Sequence, residues 1–329
     1  MALGPLPVHG GDLVAAERRW GRPQAGWLDL STGINPWPYP VPPLPQDAWT
    51  RLPGRAEEER LRGAAARRFG VADPAQVLAG PGTSALIQAL PRTRAAVRVD
   101  VVSPTYGEHA RAWAAAGHDV RAVFRLEDAQ SPVQVVVTPN NPDGRMVAPE
   151  FLRVRAAALA ARGGLLVVDE AFADMAPDNS VAPFLAPGLV VLRSFGKFYG
   201  LAGLRLGFVL GEAAVLAAVA AQLGPWPVPG PALAVGAAAL ADDDWERATI
   251  SRLAGAAADL DGVLDGAGLR LVGGTSLFRL AEHDDAAGLY DRLGRAGILV
   301  RAFDFDARRL RFGLPPDDSG LARLARALA

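Results

Sequence analysis

A chain of 329 residues, half of them hydrophobic, is too long for one compact core and suits a large domain with a smaller one. Its formal charge of −1, with no long run of one sign, excludes a nucleic-acid footprint and a polybasic membrane surface. With no cysteine there is no disulfide, no thiolate metal site and no cysteine nucleophile.

The opening residues MALGPLPVHGGD lack a charged region followed by an apolar run, and no stretch reaches the apolar length of a membrane span. The expectation is a soluble cytoplasmic protein with neither membrane nor nucleic acid as partner. Residues 36–45 (PWPYPVPPLP) must run extended, as an arm before the first helix. Residues 56–69 (AEEERLRGAAARRF) read as a helix with Leu61, Ala65 and Phe69 on one face. Apolar runs at 97–103, 134–139, 165–170, 189–194 and 204–210 then read as buried strands. They alternate with helices at 83–90, 106–116, 149–162 and 212–223, which predicts an α/β class with a mostly parallel sheet. A second Pro-rich joint falls at 225–231. Beyond it come helices at 231–241, 243–266, 284–296 and 317–328, with strands at 269–272, 275–281, 298–301 and 309–312. The division is a large domain over 46–224, an N-terminal arm over 1–45 packing with the small domain, and a small α+β domain over 225–329.

Ligands of open α/β sheets bind at the carboxyl ends of strands, and four polar clusters fall there. Gly80-Pro81-Gly82-Thr83-Ser84 opens a helix, either to present amides to a phosphate or as an ordinary N-cap by Thr83 or Ser84. Thr138-Pro139-Asn140-Asn141-Pro142-Asp143-Gly144 is a polar segment or simply a turn. Asp169 ends the apolar run LLVVD, where a carboxylate needs a cation or a donor. A protonated pyridine nitrogen would serve, and so would a neighbouring arginine. The fourth cluster is Ser194-Phe195-Gly196-Lys197, with Arg205 eight residues on. Lys197 is the only lysine among 34 basic residues of the Lys and Arg types. The chain uses arginine for every other positive charge and keeps one amine able to form an imine, a chemistry closed to guanidinium.

In this order and spacing the clusters, with Tyr106 after Pro104-Thr105, resemble fold-type I pyridoxal-5′-phosphate enzymes of the class I and II aminotransferases. The resemblance implies the aspartate-aminotransferase fold and a homodimer. It implies that Lys197 forms a Schiff base with pyridoxal 5′-phosphate and that Asp169 keeps the pyridine nitrogen protonated. It also implies that Asn141 bonds the ring hydroxyl and Tyr106 stacks on the ring. Gly82, Thr83, Ser84, Ser194 and Arg205 would hold the cofactor phosphate.

Within that group, His9-Gly10-Gly11-Asp12 and Leu28-Asp29-Leu30-Ser31-Thr32-Gly33-Ile34-Asn35-Pro36 are similar to L-threonine-O-3-phosphate decarboxylases of cobalamin biosynthesis. The substrate implied is a small phosphorylated amino acid. Its α-carboxylate would be held by Arg311 and the segment carrying Gly33 and Asn35. Its phosphate would be held by His9, Gly10 and Arg301. Arg308 and Arg309 leave the register of Arg311 open. The implied product is (R)-1-amino-2-propanol O-2-phosphate. Transamination by a histidinol-phosphate aminotransferase is the alternative, and a non-catalytic binding protein is a third reading that the lone lysine opposes. The chain departs from related families at Leu52, where a tyrosine is common. It departs again at Gly196, often Ser or Thr, and at Phe172, often Tyr.

Overall fold

The computed structural model describes residues 10–329, which divide into two compact units. The larger comprises Pro38–Asn141 and Arg145–Glu246. The other comprises the described residues up to Trp37, then Pro142–Gly144 and Arg247–Ala329. In chain order, β1 is Leu28–Asp29, β2 Val77–Gly80, β3 Arg98–Val102 and β4 Asp119–Val123. There follow β5 (Val133–Val137), β6 (Leu165–Asp169), β7 (Leu189–Ser194) and β8 (Gly207–Leu210). The last five are β9 (Arg270–Thr275), β10 (Phe278–Glu282), β11 (Ile298–Leu299), β12 (Arg301–Ala302) and β13 (Arg309–Gly313).

The larger unit holds a seven-stranded sheet in the order β2-β8-β7-β6-β5-β3-β4. Only β8 runs against its neighbours; every other pair is parallel. Every residue of β5, β6 and β7 is buried, as strands covered on both faces require. Leu86, Val99, Trp113, Val133, Val167 and Leu192 belong to one core cluster. Parallel pairing brings the carboxyl ends of β3, β5, β6 and β7 to one edge. The end of β2 and the start of β8 lie at the same edge.

Several differences from the sequence expectation have physical causes. Edge strand β4 (DVRAV) is half exposed and polar, so it carries no apolar run to betray it. The strand expected from 204 begins at Gly207, because Ala202–Leu204 is a 3₁₀ turn and Arg205 is left-handed at φ 54°. Helix Leu13–Trp20, also unanticipated, is capped by Asp12, whose side chain accepts from Ala15 N. The helix Gly230–Leu240, expected C-terminal to the domain joint, packs on Arg55–Phe69 inside the larger unit. The boundary therefore falls after Glu246 and not at the Pro-rich segment near 225.

In the other unit, β12-β13-β10-β9 form an antiparallel sheet and β1 pairs parallel with β11. The run 275–281, expected as one strand, is broken after Thr275 by a tight turn. Leu30 N donates to Leu299 O and Gly313 N to Leu30 O, both at 2.7 Å, so the segment after β1 bonds to residues of β11 and β13. Among the described residues no helix is long and apolar enough to cross a membrane.

One buried carboxylate of the sheet gives a stability prediction. Burial alone would raise the Asp100 carboxyl. Paired bonds from Arg121 and amide bonds from Ser131 and Gln130 outweigh it and hold the group well below the usual carboxylate range. A folded value below the unfolded one, near 4, adds stability that is complete above that pH and is lost as pH falls towards the folded value. Asp100→Asn is expected to cost about 1.5–3 kcal/mol at pH 7. In urea melts across pH 7 to 2, the gap to the parent protein should narrow below about pH 4. A gap constant with pH would refute the assignment.

Candidate active site

Lys197 lies in the short helix Phe195–Phe198, which begins directly after β7. Aromatic packing fixes that helix. Tyr199 stacks on Phe195 at 4.3 Å and on Trp245 at 5.4 Å, and Phe198 meets Trp245 edge-on. The Lys197 amine lies over the Phe172 ring, 5.9 Å from its centre. Phe172 is itself buried, so that side of the amine meets an apolar ring.

Asp169 ends β6 and is buried. Its Oδ2 accepts from Nε2 of the equally buried His109 at 2.7 Å, and its Oδ1 accepts from Ala171 N at 2.9 Å. No arginine is its partner in these bonds. His109 was not anticipated, because HARAW reads as an ordinary helix start; a histidine three residues after Tyr106 was the available signal. Tyr106 is half-buried with its ring edge-on to His109 at 6.2 Å. Burial first, then the Glu108 carboxylate, raises the Tyr106 phenol above its ordinary value, against a hydrogen bond with Ser84. The phenol therefore stays neutral at working pH.

The glycine turn ends in Gly82, and the helix Thr83–Ala89 starts with no side-chain cap, so neither Thr83 nor Ser84 is spent as an N-cap. Gly82 has φ 82°, and a Cβ there would stand 2.7 Å from Arg205 Nη2. The guanidinium thus lies hard against the turn, beside the first amides of a helix, which have no acceptor within it. Ser194 is buried at the end of β7. Gly196 presses on Ala202, whose Cα would be 2.8 Å from a side-chain carbon at 196, leaving no room for Ser or Thr. Leu52 is 69% exposed.

Asn140 is buried and joins loops: its Nδ2 donates to Pro104 O at 3.0 Å and its Oδ1 accepts from Thr105 Oγ1 at 2.6 Å. Asn141 is half-buried in the same loop. Beneath this edge Arg193, also unanticipated, is buried. It donates to Glu170 Oε2 at 3.0 Å and Asp174 Oδ1 at 2.8 Å, with the Phe69 ring 4.5 Å away. It precedes Ser194, so alternation along β7 turns the two to opposite faces.

An amine on an aromatic wall, a buried carboxylate steadied by a histidine, a neutral phenol ring and a guanidinium at a glycine turn fit pyridoxal 5′-phosphate chemically. Its aldehyde, ring nitrogen, ring face and phosphate each have a counterpart.

The other unit carries the residues expected to bind substrate, apart from His9, which lies outside the described residues. Arg301 and Arg311 are direct partners across β12 and β13, and Arg311 is buried. Burial and then the neighbouring Arg301 push the Arg311 guanidinium down to about 9, with Asp29 pulling it back. It is still cationic at neutral pH. Two adjacent guanidiniums beside the Asp29 carboxylate favour an arriving anion. Asn35 and Gly33 are buried; Asn35 Oδ1 accepts from Trp37 N at 2.9 Å.

The model of the family "Aminotransferase class I and II" matches residues 46–328. The chain is 48% identical to a threonine-phosphate decarboxylase of Pseudomonas aeruginosa, over 97% of this chain and 96% of the relative. It is 49% identical to a threonine-phosphate decarboxylase of a Sinorhizobium species, over 98% and 97%. Among solved structures, it superposes with a TM-score of 0.82 on a histidinol-phosphate aminotransferase from Sinorhizobium meliloti in complex with pyridoxal-5′-phosphate. The two are 25% identical, over 96% of this chain and 92% of that one.

Proposed function

Since the chain belongs to the class I and II aminotransferase family, we propose that it is a pyridoxal-5′-phosphate-dependent decarboxylase of L-threonine O-3-phosphate. The product is (R)-1-amino-2-propanol O-2-phosphate, made for cobalamin biosynthesis. The likeness to two threonine-phosphate decarboxylases over almost the whole chain carries this reading. The juxtaposed Arg301 and Arg311 support it, because the substrate bears two anionic groups.

When bound, the cofactor supplies an electron sink for the pair left at Cα as a bond to it breaks. Lys197 is the amine that would attach it. Asp169, oriented by His109, would hold a proton on the ring nitrogen. Tyr106 would lie on the ring face, Asn141 would bond the ring hydroxyl, and Gly82, Thr83, Ser84, Ser194 and Arg205 would hold the phosphate. Arg311 on the carboxylate and Arg301 on the phosphate would fix the substrate about Cα, and that orientation would favour loss of carbon dioxide over loss of the Cα proton. Gly10, Gly33 and Asn35 complete the substrate contacts, together with His9. Lys197 Nζ then delivers the proton that replaces the carboxylate on Cα.

The working form is a cytoplasmic homodimer; Trp49 and Leu52, 66% and 69% exposed, support a subunit contact. Supplied with threonine phosphate alone, the enzyme should release one carbon dioxide per amine formed, with no oxo acid present. Turnover that begins only on adding 2-oxoglutarate would establish transamination and overturn the decarboxylase reading.

A further inference from the structure

Ser31 is 2% exposed and lies at the centre of a hydrogen-bonded knot. Its hydroxyl donates to Asp29 Oδ1 at 2.6 Å and accepts from Gly11 N at 2.7 Å. Its amide donates to the same Asp29 oxygen at 2.9 Å. Its carbonyl oxygen accepts from Arg311 Nη2 at 2.8 Å. The hydroxyl of one residue therefore locates the carbonyl that aims the guanidinium. The knot also reaches the turn that precedes the first helix, where Gly11 stands at φ 83°. Gly10 closes it from outside, since a Cβ there would come within 2.4 Å of the Ser31 carbonyl oxygen.

We propose that Ser31 is a positioning residue that sets the orientation of Arg311, with the Gly10–Gly11 turn as its support. The inference rests on the reading of Arg311 as the group that binds the substrate carboxylate. Arg301 is held on the other strand of its pair and takes no part in the Ser31 bonds described above. Loosening Ser31 therefore weakens the grip on a carboxylate and spares the grip on a phosphate.

The test uses holoenzyme of the parent protein and of Ser31→Ala. Steady-state turnover of L-threonine O-3-phosphate is measured, with calorimetric Kd values for L-threonine (carboxylate only) and inorganic phosphate (phosphate only). Thermal midpoints are recorded alongside. In Ser31→Ala, KM and the L-threonine Kd should rise roughly fivefold to tenfold, the loss of about one oriented hydrogen bond. Phosphate Kd and kcat should stay close to the parent values, and the midpoint should fall by no more than a few degrees, the cost of one buried hydroxyl. An unchanged L-threonine Kd in Ser31→Ala overturns the proposal. Equal weakening of both ligands with a lowered midpoint also overturns it, by showing a general structural role. A parent enzyme that releases no carbon dioxide removes the decarboxylase reading alone, because the calorimetric comparison needs no turnover and still judges Ser31.

Discussion

Lys197→Ala is expected to lower kcat/KM for carbon dioxide release by about 10⁴-fold or more, and Lys197→Arg by a similar factor. On the proposed mechanism both variants lose the amine that attaches the cofactor and the group that returns a proton to Cα. Arginine keeps the positive charge and shows that charge alone does not suffice. The chain is well suited to a covalent test, because Lys197 is its only lysine. Borohydride reduction of the parent holoenzyme should leave cofactor mass on the single peptide containing Phe195–Phe198. Neither variant should retain it. Parent-like activity in Lys197→Ala, or cofactor retained elsewhere in the reduced parent protein, would remove Lys197 from the mechanism.

The largest stability loss is expected at Arg193. Arg193→Met would leave Glu170 and Asp174, 0% and 4% exposed, without the cation that bridges them. Breaking a buried ion network by removing one partner costs about 3–5 kcal/mol, more than its formation contributes. For a unit of roughly two hundred residues that corresponds to a fall in Tm of about 6–20 °C, read by calorimetry. Replacing all three groups together, Arg193→Met with Glu170→Gln and Asp174→Asn, should recover much of the loss, because no charge is then stranded. A single variant as stable as the parent would show that water reaches the two carboxylates.

The reach of the sequence follows from where each signal lives. Lys197 stands out in the sequence as a candidate because the signal is chemical and local: one amine in a chain of guanidiniums. Asp169 was legible because an acid closing LLVVD has to be compensated. Which group compensates it was not, since His109 lies sixty residues earlier and meets Asp169 only through the order of β3, β5 and β6. Arg193 was hidden in the same way: within LVVLRS it reads as a strand end, and its acids come from the segment after the neighbouring strand. Buried strands announced themselves as unbroken Val and Leu runs, whereas β4 did not, because an edge strand need not be apolar. The Pro-rich segment near 225 looked like a domain joint because proline marks extended chain. The contacts of the following helix, which proline cannot encode, assign it to the larger unit.

The two units finish at different moments of synthesis. The seven strands of the larger sheet are all present once Leu210 has been made, and that unit is complete at Glu246. By contrast, Leu28 pairs with Ile298, and Ser31 bonds to Arg311. The N-terminal segment that bonds to Arg311 must therefore wait through some 270 further residues for its partners. At about 5–20 residues per second that interval is roughly 14–54 s. During it, the apolar Leu28 and Leu30, both buried in the finished protein, have none of their native strand neighbours.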